Sequence, residues 1–180
     1  RCNAAGLKFI FEKEEFDYVI LMDGDGEDRP EEIKQFIDNI NYLTDKPIVG
    51  ERIKRSEGKI FRICYIIHKI LTLIFTGKSI KFGHFTLLPK KIVKKMINEK
   101  ATWSNFSGSL AKVSKNRIAI PSIRGKRYFG PSQMNFFNLL VHSFSIIAVF
   151  KGSVIVRSLL FLIFYLFFIY SNPSVITFFP

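Results

Sequence analysis

Apolar residues fall along the chain in blocks whose spacing alternates between that of buried strands and that of helices. Phe16 to Met22 (FDYVILM) is a short, nearly continuous apolar run, the pattern of a strand covered on both faces. Lys46 to Gly50 (KPIVG) and Phe85 to Leu88 read the same way, and Arg117 to Ile123 alternates Ile118 and Ile120 before Pro121 interrupts it. Between these runs the spacing is helical. Asn3 to Lys13 is helix-compatible. Asp28 as a cap, Pro30 in the first turn and Glu31 and Glu32 at the positive end of the dipole predict a helix start, with the helix reaching about Leu43. Lys59 to Phe75 is predicted to be a long amphipathic helix and not a membrane span, because Arg62, Tyr65, Lys69, Thr72 and Thr76 fall on one polar stripe. Pro89 to Glu99 forms another helix, with Ile92, Val93, Met96 and Ile97 inward. Such alternation predicts an α/β fold: a mostly parallel sheet with flanking helices and ligands at the C-terminal strand ends. No internal repeat or low-complexity linker interrupts it.

The pattern changes after Ser132. Gln133 to Phe150 carries no formal charge, and Asn135, Asn138, His142 and Ser145 recur at spacings that draw one polar stripe on a helix. This predicts an amphipathic juxtamembrane helix over 133–152, lying in the interface plane, with His142 as a polar-face residue. Val154 to Tyr170 is apolar except for Arg157, Ser158 and the tyrosines. At about 1.5 Å per residue it covers roughly 25 Å, and Ser153 and Ser171 bring it close to a bilayer's hydrocarbon thickness. A transmembrane segment is therefore predicted over 153–180, with Arg157 snorkelling near one end and Pro173 closing the helix. Lys and Arg all lie on its N-terminal side, which places residues 1–151 in the cytoplasm.

Composition narrows the partners. The 180 residues include 27 Lys plus Arg against 15 Asp plus Glu, a net charge of +12, and 48% are hydrophobic. The positive charge is dispersed through Lys54, Lys59, Lys69, Lys90, Lys91, Lys94, Lys95 and Lys126 and not clustered, which argues against a nucleic-acid partner. It suits a membrane surface, where each basic residue near anionic headgroups contributes about 1 kcal/mol. Two cysteines, Cys2 and Cys64, exclude a disulfide framework and a four-ligand zinc site, and fit a reducing compartment or none in particular. The opening residues lack the pattern of a signal peptide.

The chemically pointed segment is VILMDGDGED, which sets Asp23, Asp25, Glu27 and Asp28 at the end of the first strand beside Gly24 and Gly26. Carboxylates this close repel one another unless a cation sits among them, and hard oxygen ligands suit Mg²⁺ or Mn²⁺. Such a metal bridges phosphates and stabilises a diphosphate leaving group. The alternative is a solvated acidic turn that caps the following helix. An EF-hand is excluded, since counting from Asp23 places Asp28 where Gly is needed and Lys34 where Glu is needed. A phosphatase of the haloacid-dehalogenase type also carries Asp-x-Asp after an apolar strand, with Asp23 then the nucleophile, but Glu27 stands where that motif has Thr.

Residues 17–33, DYVILMDGDGEDRPEEI, resemble the DADLQDPPE segment of family 2 glycosyltransferases related to dolichol-phosphate mannose synthase. Three further segments continue the likeness in order. Val49 to Arg52 with Lys54 and Arg55 is similar to VxGxR…R, Gly83 to Pro89 is similar to GDFRLL or GNFSLLPR, and Arg127 to Asn135 is similar to RxxGxSKM. The resemblance covers roughly residues 1–150 and implies an incomplete GT-A type domain over 1–132, without the family's N-terminal strand and base-binding loop, so that the chain alone is weakly active or inactive.

The activity so implied is transfer of a sugar from a nucleotide-sugar donor to a lipid-linked acceptor, often polyprenyl phosphate, at the membrane bilayer. Asp23, Asp25 and Glu27 match the acidic positions around the donor diphosphate and its Mg²⁺ or Mn²⁺, and His84 falls where relatives carry an acid near the reacting sugar. Arg127 and Ser132 match the segment linked to acceptor phosphate. Arg52 and Arg55 are further candidates for that charge, and Arg124 joins them from its position three residues before Arg127. Departures from the family pattern at Glu27, Arg29, His84, Thr86, Pro131 and Gln133 keep a hydroxyl acceptor open. An ionised phosphate needs no general base, whereas a hydroxyl does, and an imidazole with its ordinary pKa of about 6.5 can serve. A membrane-tethered binding module without turnover and self-association into a homo-oligomer also stay open.

Overall fold

A computed structural model describes residues 1–40, 45–52, 59–130 and 136–172. Four strands form one sheet in the order β1-β3-β2-β4: β1 is Tyr18–Leu21, β2 is Ile48–Arg52, β3 is Phe82–Pro89 and β4 is Ile118–Ser122. The helices are α1 (Cys2–Lys13), α2 (Ile33–Asp38), α3 (Lys59–Thr76), α4 (Lys90–Asn98), α5 (Phe106–Val113), α6 (Phe136–Val149) and α7 (Lys151–Ser171).

The α/β class holds, but the sheet is not mostly parallel. β3 lies between β1 and β2 and runs antiparallel to both, and only β2 with β4 is a parallel pair. An apolar run reads alike in either direction, so the strand pattern carries no information on polarity. Direction is set by the connections. The α3 connection leads into an antiparallel neighbour, and α3 itself packs chiefly against α6 and α7.

The sheet is covered on both faces. On one side Leu7, Val49, Leu88, Ile92, Val93, Met96, Phe106 and Leu110 join α1, α4 and α5 to the sheet. On the other, Phe36 of α2 packs with Ile48, Phe85, Leu87 and Ile120, its ring 4.5 Å from that of Phe85. Adjacent residues such as Ile48 and Val49, or Leu87 and Leu88, point to opposite faces, which is why these strands read as continuous apolar runs and not as alternating ones.

Three local departures have clear causes. The helix after Pro30 begins as a single 3-10 turn, Pro30–Glu32, and α2 ends at Asp38; the expected extension to Leu43 lies outside the described residues. Asp28 does not cap it, because its Oδ2 accepts from the Asp23 amide at 2.8 Å and Arg29 occupies the cap position. A helix not expected from the sequence, α5, is started by Asn105, whose side chain accepts from the Gly108 amide at 2.7 Å.

At the C-terminal end, α6 and α7 follow one another. The 21 residues of α7 would measure about 31 Å at helical rise, long enough and apolar enough to cross a membrane, with no part of its apolar stretch buried in the protein.

Candidate functional site

Strand polarity gathers the site. With Leu21 opposite Thr86, the β1/β3 register carried two residues onward sets Asp23 opposite His84. His84 Nδ1 lies 3.9 Å from Asp23 Oδ1, and its ring rests against Phe106 at the start of α5, with centroids 5.4 Å apart. The reversed strand is therefore what brings His84 beside the acids. β1, β2 and β4 share one direction, so the loop leaving β4 after Ser122 emerges at the same sheet end as the loop leaving β1.

The two loops are fastened to each other. The Ile123 amide donates to Glu32 Oε1 at 2.9 Å, the Gly125 amide to the Glu27 carbonyl at 2.9 Å, and the Tyr128 amide to the Asp25 carbonyl at 2.9 Å. Between these backbone ties sits a charge cluster. Glu27 is buried, and both its carboxylate oxygens hold guanidiniums: Arg124 Nη2 on Oε2, and Arg127 Nε on Oε1 at 2.6 Å. Arg127 Nη2 also reaches Asp25 Oδ2 at 3.1 Å, and Asp25 Oδ1 accepts from the Glu27 amide at 3.0 Å. Burial pushes the Glu27 carboxyl up, but the hydrogen bonds from Arg127 and Arg124 and their charges together outweigh it and hold the group below the ordinary range. The same bond to Glu27 keeps Arg127 more firmly protonated.

Backbone shape permits this closeness. Gly26 has φ of 90°, and a Cβ there would stand 2.9 Å from both the Lys126 carbonyl oxygen and the Tyr128 ring. Gly125 faces the Gly26 carbonyl with no room for a side chain. Neither Tyr128 nor Gly125 is singled out by sequence spacing; the signal available is that glycines sit in both segments that must touch.

Glu27 is thus engaged by arginines, whereas Asp23 and Asp25 keep 43% and 34% of their side chains exposed at the strand end. Among the described residues, no group of three or more His, Cys, Asp or Glu is arranged to hold a metal ion by itself. Mg²⁺ commonly takes only one or two protein carboxylates and completes its shell with phosphate oxygens and water, and Asp23 with Asp25 offers that donor set. Arg52 lies at the end of β2, with its backbone paired to Ser122; Arg55 and Ser132 fall outside the described residues. Of the nine site residues proposed from sequence, the structure therefore brings together Asp23, Asp25, Glu27, His84, Arg124 and Arg127.

No protein-family model matches the chain, and no curated protein or solved structure matches it.

Proposed function

We propose that this chain is part of a membrane-anchored glycosyltransferase that moves a sugar from a nucleotide-diphosphate donor to a lipid-linked acceptor, with polyprenyl phosphate as the acceptor. One observation carries the reading: two partly exposed carboxylates, Asp23 and Asp25, stand beside two guanidiniums, Arg124 and Arg127, at the mouth of the sheet. Cation-seeking and anion-seeking groups side by side suit a diphosphate and a phosphate handled in one place. The motif order that resembles family 2 glycosyltransferases supports the same reading, as does the placement of acids at a strand end of an α/β sheet.

In this proposal Asp23 and Asp25 hold Mg²⁺ or Mn²⁺. Held there, such an ion would supply positive charge to offset that of the donor diphosphate. The acceptor oxygen attacks the anomeric carbon, and the nucleoside diphosphate departs with the bonding electrons. Arg124 and Arg127 present positive charge for an acceptor phosphate, and Glu27 holds the two guanidiniums in register. His84 faces the acids from β3; with a phosphate acceptor it orients substrate, and with a hydroxyl acceptor it takes the proton. α7 spans the bilayer, α6 lies along its surface, and the sheet domain sits on the cytoplasmic face, the side on which the basic residues accumulate.

The test is metal-dependent incorporation of labelled sugar from UDP or GDP donors into the lipid fraction of membranes holding the full-length protein of which this chain is part. Asp25→Ala should reduce it to background. Undiminished incorporation by that variant would overturn the assignment, and a trapped aspartyl-phosphate on Asp23 would replace it with the phosphatase reading.

A further inference from the structure

α3 is amphipathic in the inverse sense. Its polar Thr72 and Thr76 are buried at 3% exposure each, with the Thr76 hydroxyl donating to the Thr72 carbonyl at 2.6 Å. Its apolar Ile66, Ile67, Ile70, Leu71, Leu73 and Ile74 are all 40% exposed or more. At 3.6 residues per turn those six side chains sweep an arc of about 160°, and the two threonines lie opposite its centre. A water-facing helix of a soluble domain carries the reverse arrangement, and a contiguous apolar arc of this width marks a surface with another partner.

The partner is argued from continuity with α7. Arg157, in the second turn of α7, donates from Nη1 to the Ile74 carbonyl at 3.1 Å, and its guanidinium lies over Gly77 just past the α3 C-terminus. α3 packs against α7 and α6, so its C-terminal turns sit where α7 begins. Exposed Lys69 borders the arc, Lys78 and Lys81 follow the C-terminus of α3, the latter 3.9 Å from Glu51, and Lys151 starts α7. Positive charge around an apolar face that adjoins the start of a membrane-length helix matches an anionic lipid surface.

From these positions we infer that α3 is a lipid-embedded surface helix, which enters the headgroup and upper acyl region of the bilayer with its isoleucine and leucine arc and is moored to α7 through Arg157. The inference rests on α7 spanning the bilayer. It is independent of the sugar-transfer chemistry.

The experiment uses the whole chain with Trp103→Phe as background, reconstituted into vesicles of phosphatidylcholine and phosphatidylglycerol. Ile70→Trp reports on α3 and Phe164→Trp on α7; both native side chains are exposed, at 50% and 72%, so either variant keeps the core intact. Bromine is placed on the phosphatidylcholine acyl chains either near the ester or near the terminal methyl. An interfacial helix lies roughly 5–10 Å deep. The tryptophan at 70 should therefore lose most of its emission to the ester-proximal bromines and little to the terminal ones, while that at 164 is quenched within the acyl region. Quenching at 164 with none at 70 would overturn the placement of α3 and leave the span standing. Absence of quenching at both would overturn the span and the inference together. A blue-shifted but unquenched tryptophan at 70 would assign the face to a second copy of the chain, and would also overturn it.

Discussion

Glu27 is the residue on which the two loops converge, and its protonation state decides whether they stay together. Its carboxyl is held below its ordinary value of 4.5, with burial opposing and the two arginines prevailing. A group whose folded pKa is depressed contributes stability above its unfolded pKa, and that contribution is lost as pH falls through the folded value. Stability should therefore decline as pH drops below about 4.5. Glu27→Gln should cost about 1.5–3 kcal/mol at neutral pH, the range for hydrogen bonds to charged groups, and should flatten the acid limb of the curve. Thermal melts of wild type and variant in detergent, from neutral into the acid range, check this; parallel curves would show that Glu27 is not the titrating group. Gly26→Ala makes a second prediction at the same place. A positive φ and a Cβ 2.9 Å from the Lys126 carbonyl should together cost about 1–3 kcal/mol. Because the obstructing oxygen belongs to the backbone, adding Tyr128→Ala should fail to restore the melting temperature. The acids themselves were legible in the sequence, since four carboxyl groups in six residues have few innocent uses. Their division into half-buried Asp23 and Asp25 and a buried Glu27 held by two arginines was not, because the arginines come from about 100 residues away.

Among the elements, what sequence pattern conveyed was existence and not direction or facing. β3 was visible as an apolar run, yet its reversal, which puts His84 opposite Asp23, depends on a connection whose path no local pattern records. The polar stripe of α3 was visible too, but Thr72 and Thr76 turn inward and the apolar arc outward, because α3 belongs to the layer of α6 and α7 and not to the sheet. α5 went unread for a different reason: Ser107, Gly108 and Ser109 have the composition of a loop, and only burial against the sheet makes them helical. Asn105 holds that helix in two ways. Its Oδ1 caps the Gly108 amide, and its Nδ2 donates to Ser145 Oγ of α6 at 2.9 Å. Asn105→Ala should lose about 0.5–2 kcal/mol, the range for removal of an N-cap. Asn105→Asp keeps the acceptor but not the donor to Ser145. It should recover most of the loss in a denaturant titration while amide exchange in α6 still quickens; equal stability of the Ala and Asp variants would remove the capping role.

At the scale of the whole molecule, the question is how a site at one end of a sheet keeps a fixed position relative to a membrane-length helix. The joints are few and specific. Asn105 ties α5 to α6; Gly108 lets Val149 of α6 approach so closely that a Cβ would stand 3.0 Å from its Cγ2; and Arg157 ties α7 to the end of α3. A guanidinium on an apolar helix is costly unless its protons are satisfied, and here it meets the negative end of the α3 dipole and the Ile74 carbonyl in its last turn. Arg157→Leu removes that tie while leaving α7 more apolar, so membrane insertion should persist as the α3 terminus loosens. Since Arg157 is exposed in the protein, the bond contributes about 1 kcal/mol, which corresponds to roughly fivefold faster amide exchange over the last turns of α3. Hydrogen exchange of the reconstituted chain, read by mass spectrometry over 66–77, measures it. Arg157→Lys can still place a cation at the helix end but not the forked donors that span Ile74 and Gly77, so its rate should fall between the two. Unchanged exchange in Arg157→Leu would mean that α3 is held by lipid and packing alone, and that the sheet domain is positioned through the α5–α6 joint.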